Sequence, residues 1–163
     1  VEKDRDLQNL ALVGIRTGGE FIAKRIHQKI QQIEKRDVPF GVIDITLYRD
    51  DLSDSLEQPT LKGTELPFSL SGHRIVLVDD VLYTGRTVRA ALDAIVDFGR
   101  PALVELAVLA DRGHRELPIR PDYVGKNLPT HKDDFVRVRL SEGGYQDGIY
   151  LIEAHHAKNG SAQ

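Results

Sequence analysis

Hydrophobic positions along this chain keep two rhythms that take turns. Leu10 to Ile15, Val38 to Leu47, Ile75 to Val78 and Leu103 to Ala110 are short runs dominated by apolar residues, the pattern of strands buried on both faces. Between them Phe21, Ile22, Ile26, Ile30 and Ile33 recur at helical spacing, with Lys24, Lys29, Gln32 and Lys35 on the polar positions. Val88, Ala91, Leu92 and Ile95 repeat that spacing, and Gly18-Gly19 breaks the chain between the first strand and the first helix. Phe135 to Leu140 alternates and predicts a more exposed strand, and Ile149 to Ile152 predicts a last one. Strands alternating with helices specify an α/β fold with a central, mainly parallel sheet flanked by helices. Arg49 to Gly63 has no regular apolar period, and an irregular stretch of that length is usually mobile or functional. Lys158 to Gln163 reads as a disordered tail, no internal repeat is present, and residues 1–157 are expected to form a single domain.

Composition narrows the class without naming a function. With 163 residues, 40% hydrophobic and 29% charged, the chain suits one globular domain with a substantial core. The absence of Cys excludes disulfides and Cys-ligated zinc. No apolar stretch approaches the roughly 18 residues of a membrane-spanning helix, so a cytoplasmic protein is expected. A net charge of −3 gives no global sign of nucleic-acid binding, and any RNA contact must come from a local basic surface. A chain that opens at Val1 and contains no Met leads us to expect a missing or trimmed native N-terminus. The histidines form no metal pattern: His155-His156 lacks the i, i+4 spacing of a zinc pair, His27, His73 and His131 read as surface residues, and His114 has no assigned role.

The chemistry concentrates between Arg74 and Arg89. There Ile75 to Val78 run into Asp79 and Asp80, and then into Val81-Leu82-Tyr83-Thr84-Gly85-Arg86-Thr87 at the start of a helical pattern. A loop in that position lies at the carboxyl end of a strand, where α/β sheets bind ligands. Thr84, Gly85, Arg86 and Thr87 bring backbone N–H groups, hydroxyls and a cation to a helix N-terminus, a setting that attracts phosphate. Ionised Asp79 and Asp80 only accept hydrogen bonds and would repel that phosphate, so they suit sugar hydroxyls or a hydrated Mg²⁺. A ribose 5-phosphate satisfies both halves of the loop; a solvated strand-to-helix turn is the plainer alternative. A P-loop is excluded because the Gly-Lys pair and the upstream Gly are missing, and Gly14-Ile-Arg-Thr-Gly-Gly19 lacks the second Gly of a dinucleotide fingerprint.

Val78 to Thr87 resembles the phosphoribosyl-pyrophosphate (PRPP) motif of the type I phosphoribosyltransferases, in the form with Tyr83 found in the uracil-using branch that also attenuates pyrimidine operons. Asp44 to Leu52, Asp111 to Arg120 and Asp122 to Asn127 are similar to segments of that branch in the same order, so the resemblance spans about Leu12 to Leu140. It implies the type I phosphoribosyltransferase fold with a small hood around residues 111–132. It further implies that Asp79 and Asp80 are the catalytic pair holding the ribose hydroxyls, and that Val81 to Thr87 take the 5-phosphate. Thr17 and Gly18 would meet pyrophosphate in the loop after the first strand, and Arg49 would join them from a flexible loop, Tyr48 to Gly63, that closes over PRPP. Arg112 and the backbone near Val136 would meet the base, and Mg²⁺ would arrive with PRPP rather than on a protein ligand set. The branch usually carries Arg where this chain has Gly18, which removes a cation from the pyrophosphate loop.

Residues 111–132 contain Arg112, Arg115, Arg120, Lys126 and Lys132 against Asp111, Glu116 and Asp122, a local positive excess. By the same resemblance Arg115, Arg120 and Lys126 fall on the basic face that grips a messenger RNA leader, although such clusters are often only solvated surface. The implied activity is conversion of uracil and PRPP to UMP and pyrophosphate, with UMP-responsive RNA binding as a second role, in a homodimer or homotetramer. An RNA-binding regulator with vestigial transferase activity and a purine phosphoribosyltransferase stay open.

Overall fold

The computed structural model describes residues 7–48 and 63–154. Arg49 and the rest of the segment up to residue 62, His155-His156 and the C-terminal tail lie outside them. The order along the chain is β1 (Leu10–Ile15), α1 (Gly18–Glu34), β2 (Phe40–Ile43), β3 (Arg74–Leu82), α2 (Arg86–Phe98), β4 (Leu103–Asp111), β5 (Tyr123–Asn127), β6 (Phe135–Arg139) and β7 (Gly148–Ile152).

Five strands form one parallel sheet in the order β2-β1-β3-β4-β5. Strand alternation sends neighbouring residues to opposite faces. Leu10, Leu12, Val76, Val78 and Ala107 pack beneath Ile22, Ala23 and Ile30 of α1. Ala11, Val13, Ile15, Ile75 and Leu77 pack beneath Val88, Ala91, Ala94 and Ile95 of α2. Covering both faces is why these strands read as apolar runs rather than as alternating ones. The chain leaves β1 toward β2 and returns on the other side as β3, so the strand order reverses between β1 and β3. The crevice at the carboxyl ends of those two strands is the switch point where such sheets bind ligands.

Four segments differ from the expected pattern. Val38 to Leu47 is not one strand: β2 ends at Ile43, because the Asp44 carboxylate accepts the N–H (3.0 Å) and hydroxyl (2.6 Å) of Thr46 and turns the chain into a short 3-10 helix, Thr46–Tyr48. β3 continues past Val78, with Asp79 level with Val108 and Leu82 level with Asp111, so the acidic pair stands on paired strand rather than in a loop. Gly18-Gly19 opens α1 instead of preceding it. Within residues 111–132, expected as a hood, Tyr123–Asn127 form the edge strand β5, and the separate layer is the antiparallel β6–β7 hairpin. β5 escapes sequence reading because Val124, Gly125, Lys126 and Asn127 are all exposed and leave no apolar run. Among the described residues no helix is long and apolar enough to cross a membrane.

Candidate active site

Two loops meet across the switch point. The first follows β1. It holds a cis peptide between Arg16 and Thr17, and Thr17 stands exposed at the head of α1 without a side-chain capping bond. Gly19 packs so closely on β3 that a Cβ there would collide with the Val78 carbonyl and lie 2.9 Å from the Asp79 Cα. A Cβ on Gly18 would collide with the Asp80 carboxylate, which leans across the loop. The Arg16 guanidinium turns instead to Glu20 at 3.1 Å and Glu65 at 3.7 Å.

The second loop follows β3. Asp79 is buried, and its Oδ1 accepts the N–H of Asp80 at 2.9 Å, while Asp80 Oδ1 accepts that of Val81 at 2.8 Å. Burial, followed by the neighbouring Asp80 charge, holds the Asp79 carboxyl well above the usual carboxylate range. Only a group that rewards the anion, such as a sugar hydroxyl donating to it, would offset that penalty. Beyond Leu82 the chain reaches Gly85, which caps α2 with φ 93°, a left-handed conformation that suits glycine. No side chain caps the helix at Gly85; the Thr84 hydroxyl lies 3.3 Å from the Arg86 N–H, and the helical ladder begins with Arg89 N–H to Gly85 O at 2.9 Å. Thr87 and Val88 therefore have no intrahelical acceptor for their N–H groups, the arrangement that binds phosphate.

Residues 111–119 buttress this loop from behind. The Thr84 carbonyl accepts N–H groups of Glu116 (3.0 Å) and Leu117 (3.2 Å), and Arg86 pairs with Glu116 at 2.8 Å. Arg115 donates to the carbonyls of Tyr83 (2.8 Å) and Ile119 (2.9 Å) and to Asp111 (2.5 Å). Its bond to Asp111, together with the Gly113 N–H, holds the Asp111 carboxyl below its ordinary range against the opposing effect of burial, the largest influence on it. Arg115 is thus committed internally, whereas Arg120 and Lys126 project to solvent.

A third wall is assembled from distant parts of the chain. The buried Arg112 guanidinium lies 4.0 Å over the Tyr83 ring and donates to the carbonyls of His131 (3.0 Å) and Lys132 (3.2 Å). Its Nε is buried and has no partner among the described residues. Tyr83 hydroxyl donates to the same Lys132 carbonyl at 3.3 Å, and His114 Nε2 lies 2.8 Å from the Thr130 carbonyl. Arg112 therefore works as a strut between the phosphate loop and the segment leading into β6, which carries the half-buried Val136. Of the expected residues, Gly18 and Asp80 meet across the crevice, with Thr17 and Asp79 beside them and Val81 and Tyr83 to Thr87 following in the second loop, whereas the Leu82 side chain turns into the core; Arg49 falls outside the described residues. Sequence reading missed the Tyr83–Arg112 stack, since nothing local announces a contact between residues so far apart in sequence. Among the described residues no group of three or more His, Asp or Glu side chains could hold a metal ion.

Comparison with known proteins agrees with this geometry. The phosphoribosyl transferase domain family matches residues 1–142. The bifunctional protein PyrR of Listeria monocytogenes is 57% identical over 155 residues, covering 93% of this chain and 85% of the relative. The bifunctional protein PyrR of Deinococcus deserti is 54% identical over 158 residues, covering 97% and 86%. Among solved structures, the hypoxanthine phosphoribosyltransferase of Trypanosoma cruzi superposes with a TM-score of 0.62 at 22% identity, over 88% of this chain and 76% of that one. A hypoxanthine phosphoribosyltransferase from Staphylococcus aureus gives 0.57 at 22% identity, over 82% and 68%. At such identities those two share the fold alone, and it is the sequence relatives that place this chain in the phosphoribosyltransferase family, within its PyrR group.

Proposed function

We propose that this chain transfers the ribose 5-phosphate of PRPP to N1 of uracil, giving UMP and pyrophosphate, and that it also acts as a UMP-responsive, RNA-binding attenuator of pyrimidine biosynthesis genes. The observation that carries the reading is the acidic pair at the end of β3 running directly into an uncapped helix N-terminus, in a chain 57% identical to a bifunctional PyrR.

The chemistry is a substitution at C1′ of the ribose. The bond from C1′ to the pyrophosphate oxygen breaks with its electron pair leaving on pyrophosphate, the bond from uracil N1 to C1′ forms, and N1 releases its proton to solvent. The sugar becomes cation-like in between, so the protein's work is positioning and charge stabilisation. Asp79 and Asp80 accept hydrogen bonds from the ribose hydroxyls, and their negative charge lies close to the electron-poor sugar. Val81 to Thr87 hold the 5-phosphate through N–H groups and hydroxyls. Thr17 and Gly18 line the pyrophosphate side, and Arg49 supplies the cation there. Arg112 orders the base side, where the backbone at Val136 meets uracil. Mg²⁺ would be carried mainly by the substrate's diphosphate, and the Asp79 and Asp80 carboxylates offer hard oxygen acceptors that suit a hydrated ion. When bound, it neutralises charge on the departing pyrophosphate.

For the regulatory role, the exposed Arg120 and Lys126 are the RNA contacts, while Arg115, expected beside them, is committed to the Tyr83 and Ile119 carbonyls and Asp111. The protein acts in the cytoplasm as a homodimer or homotetramer. UMP formation from uracil, PRPP and Mg²⁺, with guanine and hypoxanthine as controls, tests the reading. Uracil-specific turnover is expected. UMP binding without turnover would favour a regulator with vestigial transferase activity, the reading suggested by Gly18; turnover of the purines alone would place the chain with purine phosphoribosyltransferases.

A further inference from the structure

We infer that Arg25 is a positioning residue for the base: from the second turn of α1 it sets where the β6–β7 hairpin stands, and with it the wall against which the pyrimidine lies. The inference rests on the transferase reading for its placement of the base beside Val136.

Among the described residues the hairpin's strands pair only with each other, and no sheet hydrogen bond ties it to the α/β body. Val138 and the buried Leu140 seat it on the α1 face of the sheet without fixing its direction. At its open end, Asp134 accepts N–H groups of His131 (2.6 Å) and Ala154 (3.2 Å), and Arg112 holds the preceding carbonyls. At its turn stands Arg25. Nε and Nη2 donate to the two oxygens of Glu142 (2.7 and 2.5 Å), while Nη1 and Nη2 donate to the two oxygens of Asp147 (2.7 and 2.9 Å). Nη2 also reaches the Ser141 hydroxyl at 3.0 Å. One planar guanidinium thus grips two carboxylates in fork geometry, which fixes direction as well as distance. The Arg25 bond, with the Ser141 N–H behind it, depresses Asp147 to about 2.

Arg25 also belongs to the helix whose first residues, Gly18 and Gly19, form the pyrophosphate-side loop. One rigid element therefore carries the pyrophosphate loop at its head and the base-side hairpin on its flank. The three side chains are 34%, 30% and 51% exposed, so their attraction adds little to global stability. Their geometry is what the hairpin uses.

Binding of UMP and of ribose 5-phosphate to the full chain, measured by calorimetry, separates base from phosphate contacts. Arg25→Met is expected to weaken UMP about tenfold while leaving ribose 5-phosphate within about twofold. Arg25→Lys, which keeps the charge and loses the fork, should fall between. Glu142→Gln with Asp147→Asn should reproduce Arg25→Met, and combining all three should add nothing further. Unchanged UMP affinity in Arg25→Met, or equal loss for both ligands with a fallen Tm, would overturn the inference. A wild type that binds UMP but makes none from uracil and PRPP would sink the transferase reading, with Arg25 still judged by its binding ratio.

Discussion

The proposed phosphate end and the proposed base end of this site are built in opposite ways. At the phosphate end, nine consecutive residues from Asp79 to Thr87 supply the carboxylates, the tight glycine and the helix N–H groups, and one strand-to-helix connection places them. At the base end, Arg112 meets the Tyr83 ring and the carbonyls of His131 and Lys132 only in the folded chain, and those carbonyls lead into the strand that carries Val136. The first end is a local device that tolerates little change. The second is a frame whose parts act on the ligand through one another, and each should fail more gently. Substitutions at the two ends test that contrast.

The largest effect belongs to Asp79. Asp79→Asn keeps the shape and removes a charge that burial disfavours. The expected result is a drop in kcat/KM on the order of a hundredfold, with an apo protein that melts no lower than the wild type. The sign with pH follows from the raised carboxyl: the folded state holds the proton more tightly, so stability declines as pH rises from the ordinary carboxylate range through the raised value. Asp79→Asn should abolish that decline, which denaturant melts across pH will show. A mutant that keeps full activity would mean the contiguous end is not the catalytic one.

Gly19→Ala comes next. The added methyl would meet the Val78 carbonyl, which is backbone and cannot turn aside. Overpacking of this kind costs about 1–3 kcal/mol, read as a lower midpoint in urea. Gly18→Arg is different, because there the obstructing atoms are the movable Asp80 carboxylate. The missing cation and the leaning carboxylate are one feature seen from two sides. Restoring Arg should raise kcat/KM for PRPP severalfold, up to about tenfold, through a charge-assisted contact with pyrophosphate. If it does not rise, the displacement of Asp80 outweighs the cation and the loop has settled on glycine for Asp80's sake.

These cases explain what the sequence could and could not announce. Strands β1, β3 and β4 were legible because both faces are buried, and Asp79 to Thr87 because adjacent residues do adjacent work. β2 was read too long since the side-chain turn at Asp44 interrupts an apolar run. β5 was missed since an exposed edge strand with Gly125 and Lys126 carries no hydrophobic signature. Arg112 drew notice as a cation beside a strand, yet its task as a strut under Tyr83 depends on carbonyls about twenty residues downstream. Arg112→Met should accordingly raise KM for uracil more than KM for PRPP, by about fivefold to tenfold, since the loop at Tyr83 and Thr84 keeps its bonds to Arg115, Glu116 and Leu117 while the segment leading into β6 loses its strut.

The smallest effects lie outside the crevice, where the three basic residues of the proposed RNA face divide. Arg120 and Lys126 end in solvent and should each contribute one phosphate contact. Replacing either by Ala should lower the salt slope of leader-RNA binding by about 0.7 and leave uracil transfer unchanged. Arg115 instead braces Tyr83, Ile119 and Asp111, so Arg115→Ala leaves the Asp111 carboxyl and two carbonyls without their donor. It should disturb catalysis and Tm while changing the salt slope little. A slope that falls equally for all three would mean that Arg115 leaves its internal partners when RNA binds, and the brace behind the phosphate loop would then be the route by which RNA and nucleotide sense each other.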